Sequence, residues 1–225
     1  MNTKTHALSH PRALLRAALA ACACAAALTA NANPVLDQEA APIAYGNFSA
    51  GVQLGQTFTV AHTGTLASID IWSGTRVQPS SGGLTVDIRR VLANGAPDAA
   101  ANALASWAIA YTAIPFNAHQ AFSFDVTPFG IDVSAGDELA IVLTNTSNVS
   151  LDTGYSNVGA NGPYWLQGPA ASSFHSATSF GMAYRTYVTE ASNAIPEPSG
   201  LALAALVTMG MVMRPGRRAR QTHAA

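Results

Sequence analysis

The sequence predicts an all-β fold, an antiparallel β-sandwich over residues 33–190, and three observations carry that reading. Short runs alternate apolar and polar residues with a period of two, which gives a strand one buried face and one wet face. Leu84-Thr85-Val86-Asp87-Ile88 and Phe122-Ser123-Phe124-Asp125-Val126 show it most clearly. Turn-forming clusters punctuate the runs: Ser80-Ser81-Gly82-Gly83, Asn94-Gly95-Ala96-Pro97, Ser134-Ala135-Gly136-Asp137 and Asn161-Gly162-Pro163. No long amphipathic helical pattern interrupts them. Eight or so short strands joined this way suggest a sandwich of the jelly-roll kind.

The chain opens on a targeting segment. Lys4, Arg12 and Arg16 precede an almost unbroken apolar stretch at 17–28, and Ala30-Asn31-Ala32 follows. A basic start, an apolar middle and a small-x-small site describe a secretory signal peptide over 1–32, cut by signal peptidase after Ala32. Leu19-Ala20-Ala21-Cys22 is a competing lipoprotein box, in which Cys22 would be acylated, but only five apolar residues separate it from Arg16. Both cysteines, Cys22 and Cys24, lie in this segment. Cleavage after Ala32 leaves a mature chain without cysteine, hence without disulfides, thiolate nucleophiles or cysteine-bound metal.

Strands are expected at 56–60, 66–71, 84–88, 121–126, 139–144 and 180–188. The alanine-rich stretch 93–113 reads as a loop leading to a strand near 107–111. About 160 residues outside the targeting ends are enough for one domain with a real core.

At the other end, Ile195-Pro196-Glu197-Pro198-Ser199-Gly200 precedes an apolar run at 201–213, and Arg214, Arg217, Arg218 and Arg220 follow. Two prolines around a glutamate hold the linker 191–200 extended, because each fixes its own φ and keeps the preceding residue out of the helical region. The run carries no charge, so it can enter a bilayer as a helix. At about 1.5 Å per residue it is about 20 Å long against about 30 Å of hydrocarbon, a mismatch that snorkelling arginines ease. The arginines hold the tail 214–225 in the cytoplasm and leave the rest outside.

This order of Pro196-Glu197-Pro198 box, short apolar helix and basic tail resembles the PEP-CTERM sorting signal of Gram-negative bacteria. The resemblance covers about the last thirty residues. It implies processing near the box by an exosortase, a membrane transpeptidase, and export to a cell surface or matrix rich in exopolysaccharide. A second resemblance lies inside the domain. Phe122 to Val126, then Ile131-Asp132-Val133-Ser134-Ala135-Gly136-Asp137-Glu138-Leu139, looks like the strand, turn and strand passage of many secreted jelly-roll domains, carbohydrate-binding modules among them.

Charge narrows the partners. Seven of the eleven basic residues sit in the two targeting ends, and residues 33–195 hold four arginines against eleven acids, a net charge of −7. Such a surface repels phosphate backbones, so nucleic acid is not an expected partner.

No catalytic constellation stands out. Asp137-Glu138 is the only adjacent acidic pair, and neighbours on a strand point to opposite faces, whereas a glycosidase needs two converging carboxylates. Neither a Gly-x-Ser-x-Gly elbow nor a His-Glu-x-x-His helix occurs. His62, His119 and His175 are far apart in sequence and would form a zinc site only through the fold. Asp132 and Asp137, with Asp70, Asp125 and Asp152, are candidate oxygen ligands for a structural Ca²⁺, though no Asp-x-Asp-x-Asp-Gly loop is present.

Aromatic residues give the best lead to a ligand. Tyr164-Trp165 follows the rigid Gly162-Pro163, Tyr155 lies just upstream, and Trp72 precedes Ser73-Gly74. Sugars pack their C–H faces on such rings. Trp165, Tyr164, Tyr155 and Trp72 are therefore the candidate glycan-binding residues, with Tyr164 and Trp165 expected in a polar loop. Trp107 reads as core. Asn145-Thr146-Ser147 and Asn148-Val149-Ser150 match a glycosylation sequon but read as loop. The function expected is non-enzymatic: an exported surface or matrix protein whose sandwich binds exopolysaccharide. A secreted jelly-roll hydrolase is the alternative.

Overall fold

The computed structural model describes residues 33–75, 77–78, 81–157, 162–177 and 180–190. The expected signal peptide (1–32), linker with Pro196-Glu197-Pro198 (191–200), apolar helix (201–213) and basic tail (214–225) lie outside the described residues. The chain divides into two units, Met1–Ala191 and Ser192–Ala225, and every described residue belongs to the first.

The described residues form an all-β sandwich of two antiparallel sheets. In chain order the strands are β1 (Val35–Ala40), β2 (Ala44–Phe48), β3 (Gln53–Thr59), β4 (Gly64–Gly74), β5 (Gly83–Arg90), β6 (Ala105–Ala110), β7 (His119–Asp125), β8 (Asp132–Val133), β9 (Glu138–Asn145), β10 (Leu151–Ser156), β11 (Tyr164–Gln167), β12 (His175–Ala177), β13 (Gly181–Met182) and β14 (Tyr184–Glu190). One sheet runs β1-β14-β4, with β7 and the short β8 on the far side of β4. At the other end of β4 it passes to β10, which also pairs with β2 and β13. The second sheet runs β12-β11-β3-β9-β5-β6.

The period-two runs place the core. Leu84, Val86 and Ile88 of β5, Ile141 and Leu143 of β9, and Leu54 and Phe58 of β3 form the inner face of one sheet. Ile69 and Ile71 of β4 and Tyr184 and Val188 of β14 belong to the same core cluster, from the other sheet. Burying each such side chain is worth roughly 1.5–3 kcal/mol, so this interdigitated layer holds the sheets together. Gln56 ties them with polar bonds. Its amide donates to the Gly162 carbonyl at 3.1 Å, and its Oε1 accepts from the Met182 N–H at 2.9 Å.

All six expected strands are present, most of them a few residues longer than expected, and the strand expected near 107–111 lies at 105–110. The sequence reading missed β1, β2, β8, β10, β11 and β12. Their apolar residues are few or lack a clean alternation, and long-range pairing holds them: β1 on β14, β2 on β10, β11 on β3.

The outer face of the second sheet is partly covered, which a one-sided strand pattern does not foresee. Val142, facing out from β9, is fully buried in a second cluster with Ala96, Trp165 and Phe174. Asp87 on the outer face of β5 is buried too, and it accepts from Arg89 at 2.8 Å and Ser106 at 2.7 Å. The Asn145 side chain is enclosed and donates to the carbonyls of Phe48 and Val149, so its sequon is a structural turn.

Candidate functional site

The four aromatics chosen from the sequence occupy three places. Trp165 is not in a polar loop. It sits in β11, opposite Gly55 of β3, and is 7% exposed. Pairing with β3 turns Tyr164 and Leu166 inward, so Trp165 turns outward, under the loop around Ala96. Its indole N–H donates to Thr57 Oγ1 at 3.1 Å, and the same hydroxyl donates to the Gly95 carbonyl at 2.8 Å. Gly55 leaves room for this: a Cβ there would meet Pro97 Cγ at 2.7 Å. The assignment of Trp165 to a glycan is therefore corrected to a small packed core on the outer face.

Trp72 is half-buried in β4, on the outer face of the first sheet. The Arg185 guanidinium lies 5.3 Å from its ring centroid and is itself held by Glu39 at 2.7 Å. The cation therefore takes up one face of the ring.

Tyr155 and Tyr164 do come together. With Phe180, Phe48 and Leu166 they line an open cleft of about 330 Å³ at the edge of the sandwich, rimmed by Asn47 and Ser49. Tyr155 meets Phe180 with ring centroids 5.6 Å apart and Tyr164 edge-on at 6.3 Å. The Tyr155 ring lies close over β2, where a Cβ on Gly46 would sit 2.3 Å from its Cε2. Phe180 is 49% exposed, unusual for a large apolar ring, and makes one wall.

The inner wall is Tyr164, only 6% exposed, whose hydroxyl is shut off from solvent beside the Tyr155 phenol. Burial pushes its pKa up strongly, and the neighbouring Tyr155 phenol adds to the rise. For Tyr155, burial raises the pKa most, hydrogen bonding with the Tyr164 hydroxyl lowers it, and the Asp152 carboxylate adds to the rise. Both phenols are neutral over the physiological range, available as donors.

A second cleft, of about 420 Å³, is lined by Arg90, Phe129, Asp132, Asp137 and Glu138 among others. All three carboxylates are exposed, and two are employed: Asp132 accepts from Thr65 at 2.9 Å, and Asp137 accepts from the Ser134 N–H at 2.7 Å to close its turn. The other candidate calcium ligands are dispersed. Asp70 accepts from Ser123 and Tyr187, Asp125 from the Thr127 N–H, and Asp152 pairs with His119 at 3.0 Å. His62 pairs with Glu190 at 2.8 Å, so the fold does not join it to His119 and His175. Among the described residues, no three His, Cys, Asp or Glu side chains gather where one metal ion would be held.

The sequence reading missed Phe180, Phe48 and Gly46. Phe180 stood at the head of an expected strand, where an apolar ring reads as core. Tyr45-Gly46-Asn47, an aromatic and an amide around a glycine, was the available signal.

The chain matches no known protein-family model and no curated protein sequence. Two solved virus structures are similar to it at low level. Tomato aspermy virus is 10% identical, with 81% of this chain and 97% of that chain covered at a TM-score of 0.27. Infectious bursal disease virus strain Gx is 16% identical, with 79% of this chain covered, about half (51%) of that chain, and the same TM-score of 0.27. Likeness at that level carries no argument about function.

Proposed function

We propose that this is an exported, non-enzymatic protein of the cell surface or extracellular matrix, sorted by a C-terminal signal of the PEP-CTERM type, whose sandwich binds exopolysaccharide. The observation that carries the sorting half is the order Pro196-Glu197-Pro198, apolar run 201–213 and four arginines. In this reading signal peptidase removes 1–32, the chain is anchored in the membrane through 201–213, and an exosortase-type transpeptidase acts near the box. The domain's strand order supports a jelly roll: β1-β14-β4-β7 on one side and β3-β9-β5-β6 on the other is the order of its two four-stranded sheets.

The binding half rests on the aromatic cleft of Tyr155, Tyr164 and Phe180 with its Asn47 rim. Rings held in place before binding lose little entropy on engagement. Glycan-array binding by the full-length protein tests this half. Binding that Phe180→Ala reduces supports it, and an array with no bound glycan removes it.

The Asp132, Asp137 and Glu138 cleft is the one observation that favours a secreted hydrolase. Release of reducing ends from a bound polysaccharide, abolished by Glu138→Gln, would replace the binding reading with that one.

A further inference from the structure

The second sheet ends on β6, whose far edge pairs with no strand among the described residues. The Tyr111 N–H donates to the Gly82 carbonyl at 3.1 Å, which fixes the phase of the β5–β6 ladder. The alternation of an antiparallel pair then aims the N–H and C=O groups of Ser106, Ala108 and Ala110 away from β5. Among the described residues, no backbone hydrogen bond from outside the sheet reaches these groups.

Such a row of donors and acceptors is a template for another strand, and proteins ordinarily blunt it. Other edges here are blunted. β1 carries Asp37 and Glu39 and shifts register between Leu36 and Gln38, β12 has three residues, and β7 bears His119 and the exposed Asp125. β6 is six residues long, Ala105-Ser106-Trp107-Ala108-Ile109-Ala110, with no charge, no proline and no register shift.

Charge selects what covers it. Residues 33–195 carry a net charge of −7, so two copies repel wherever their acids face each other. At β6 they do not. A basic partner, by contrast, gains nothing from a strand without acids. The edge is also apolar on its inner side: Trp107 is half-buried, with Phe124 and the 44%-exposed Phe129 each 5.2 Å away between ring centroids.

We infer that β6 pairs antiparallel with β6 of a second copy of this chain, about a two-fold axis through Ala108, joining the two second sheets into one. In this register Ser106 faces the partner's Ala110 and Ala108 faces the partner's Ala108, giving about six backbone hydrogen bonds. The outward side chains along the seam are small and neutral. On the inner side Trp107 meets the partner's Ile109, an aromatic and β-branched pair, and the open flank of the sandwich is closed. This surface is separate from the aromatic cleft and does not depend on what the sandwich binds.

Sedimentation equilibrium of the full-length protein tests it, in mild detergent on account of the apolar run 201–213. The expected mass is that of two chains. Ala108→Pro removes the central donor from each copy without touching the β5 ladder, and should weaken the dimer at least tenfold. Ala108→Lys, at an exposed position, sets two like charges directly opposite and should weaken it several-fold. Circular dichroism confirms that each variant is folded. An equimolar mixture of Ala108→Lys and Ala108→Glu chains should restore the dimer, because only a two-fold register brings position 108 against itself. Thr59→Lys, exposed on β3 away from the edge, should leave the dimer intact. A wild-type chain that stays monomeric up to its solubility limit overturns the inference. So does association that survives both Ala108→Pro and Ala108→Lys, which would place the contact elsewhere, or a mixture that stays monomeric.

Discussion

Two neighbours in sequence, Tyr164 and Trp165, face opposite sides of one sheet and have opposite polar accounts. Trp165 is packed and its N–H is satisfied by Thr57. Trp165→Ala therefore removes a large buried ring and orphans part of a hydrogen-bond relay, a loss of roughly 3–5 kcal/mol. In a domain of this size that lowers Tm by roughly 10 °C, and thermal unfolding followed by circular dichroism measures it; a Tm shift of only a degree or two would mean the ring is not core. Tyr164 is the reverse case. Its hydroxyl is shut off from solvent with only the Tyr155 phenol beside it, so Tyr164→Phe should change stability by no more than about 1 kcal/mol. A urea midpoint that drops by more than this would show that the two phenols hold a strong hydrogen bond. The same group sets an alkaline limit. Its folded pKa lies above the ordinary value of 10.0, as does that of Tyr155, so the unfolded chain loses these protons first. The stability they provide is complete below about pH 10 and is lost as pH rises toward the folded pKa. Urea midpoints should fall from pH 10 upward, and Tyr164→Phe should flatten that fall.

At the scale of elements, the sandwich depends on a few bridges between strands that local pattern does not mark. Gln56 points inward from β3, and its amide reaches Met182 in β13 and Gly162 ahead of β11. Gln56→Leu keeps the volume but strips the Met182 N–H and the Gly162 carbonyl of their partner, at about 2–4 kcal/mol. Equilibrium unfolding in urea is the measurement, and a loss under 1 kcal/mol would show that water takes over both groups. Gly162 shapes the same junction: it has φ 131°, and a Cβ there would lie 2.3 Å from the Thr57 carbonyl oxygen, so the turn before Tyr164 requires glycine. Gly46 has a different reason. There the limit is the Tyr155 ring, the movable end of a side chain, so Gly46→Ala should cost little stability and instead narrow the cleft. Loss of glycan binding with a Tm within a few degrees of the parent is the expected pair of results; unaltered binding would place the ligand elsewhere.

At the scale of the whole molecule, the proposed function has the two ends determine where the domain goes and the domain determine what it meets there. Mass spectrometry of protein extracted from the cell surface should lack peptides from 1–32 and from 201–220, and should begin at Asn33. Recovery of the intact arginine-rich tail from mature surface material would reject transpeptidase processing, and an acylated Cys22 would replace the cleavage after Ala32. The sequence by itself determined the class of fold, because the alternation in Leu84 to Ile88 and Phe122 to Val126 and the turns between them are local properties of strands. The targeting proposal, too, rests on the sequence alone, on composition and order rather than on contacts. Only the tertiary structure decided the site. Whether Trp165 is a ligand platform or a core ring depends on which face β3 gives to β11, and on the loop near Ala96 that covers that face. The cleft, likewise, exists because β2, β10 and β11, distant in sequence, bring Tyr155 and Tyr164 within one ring contact of each other and leave Phe180 at the opening. Strand register is set by pairing across the whole chain, and a shift of one residue exchanges inside for outside.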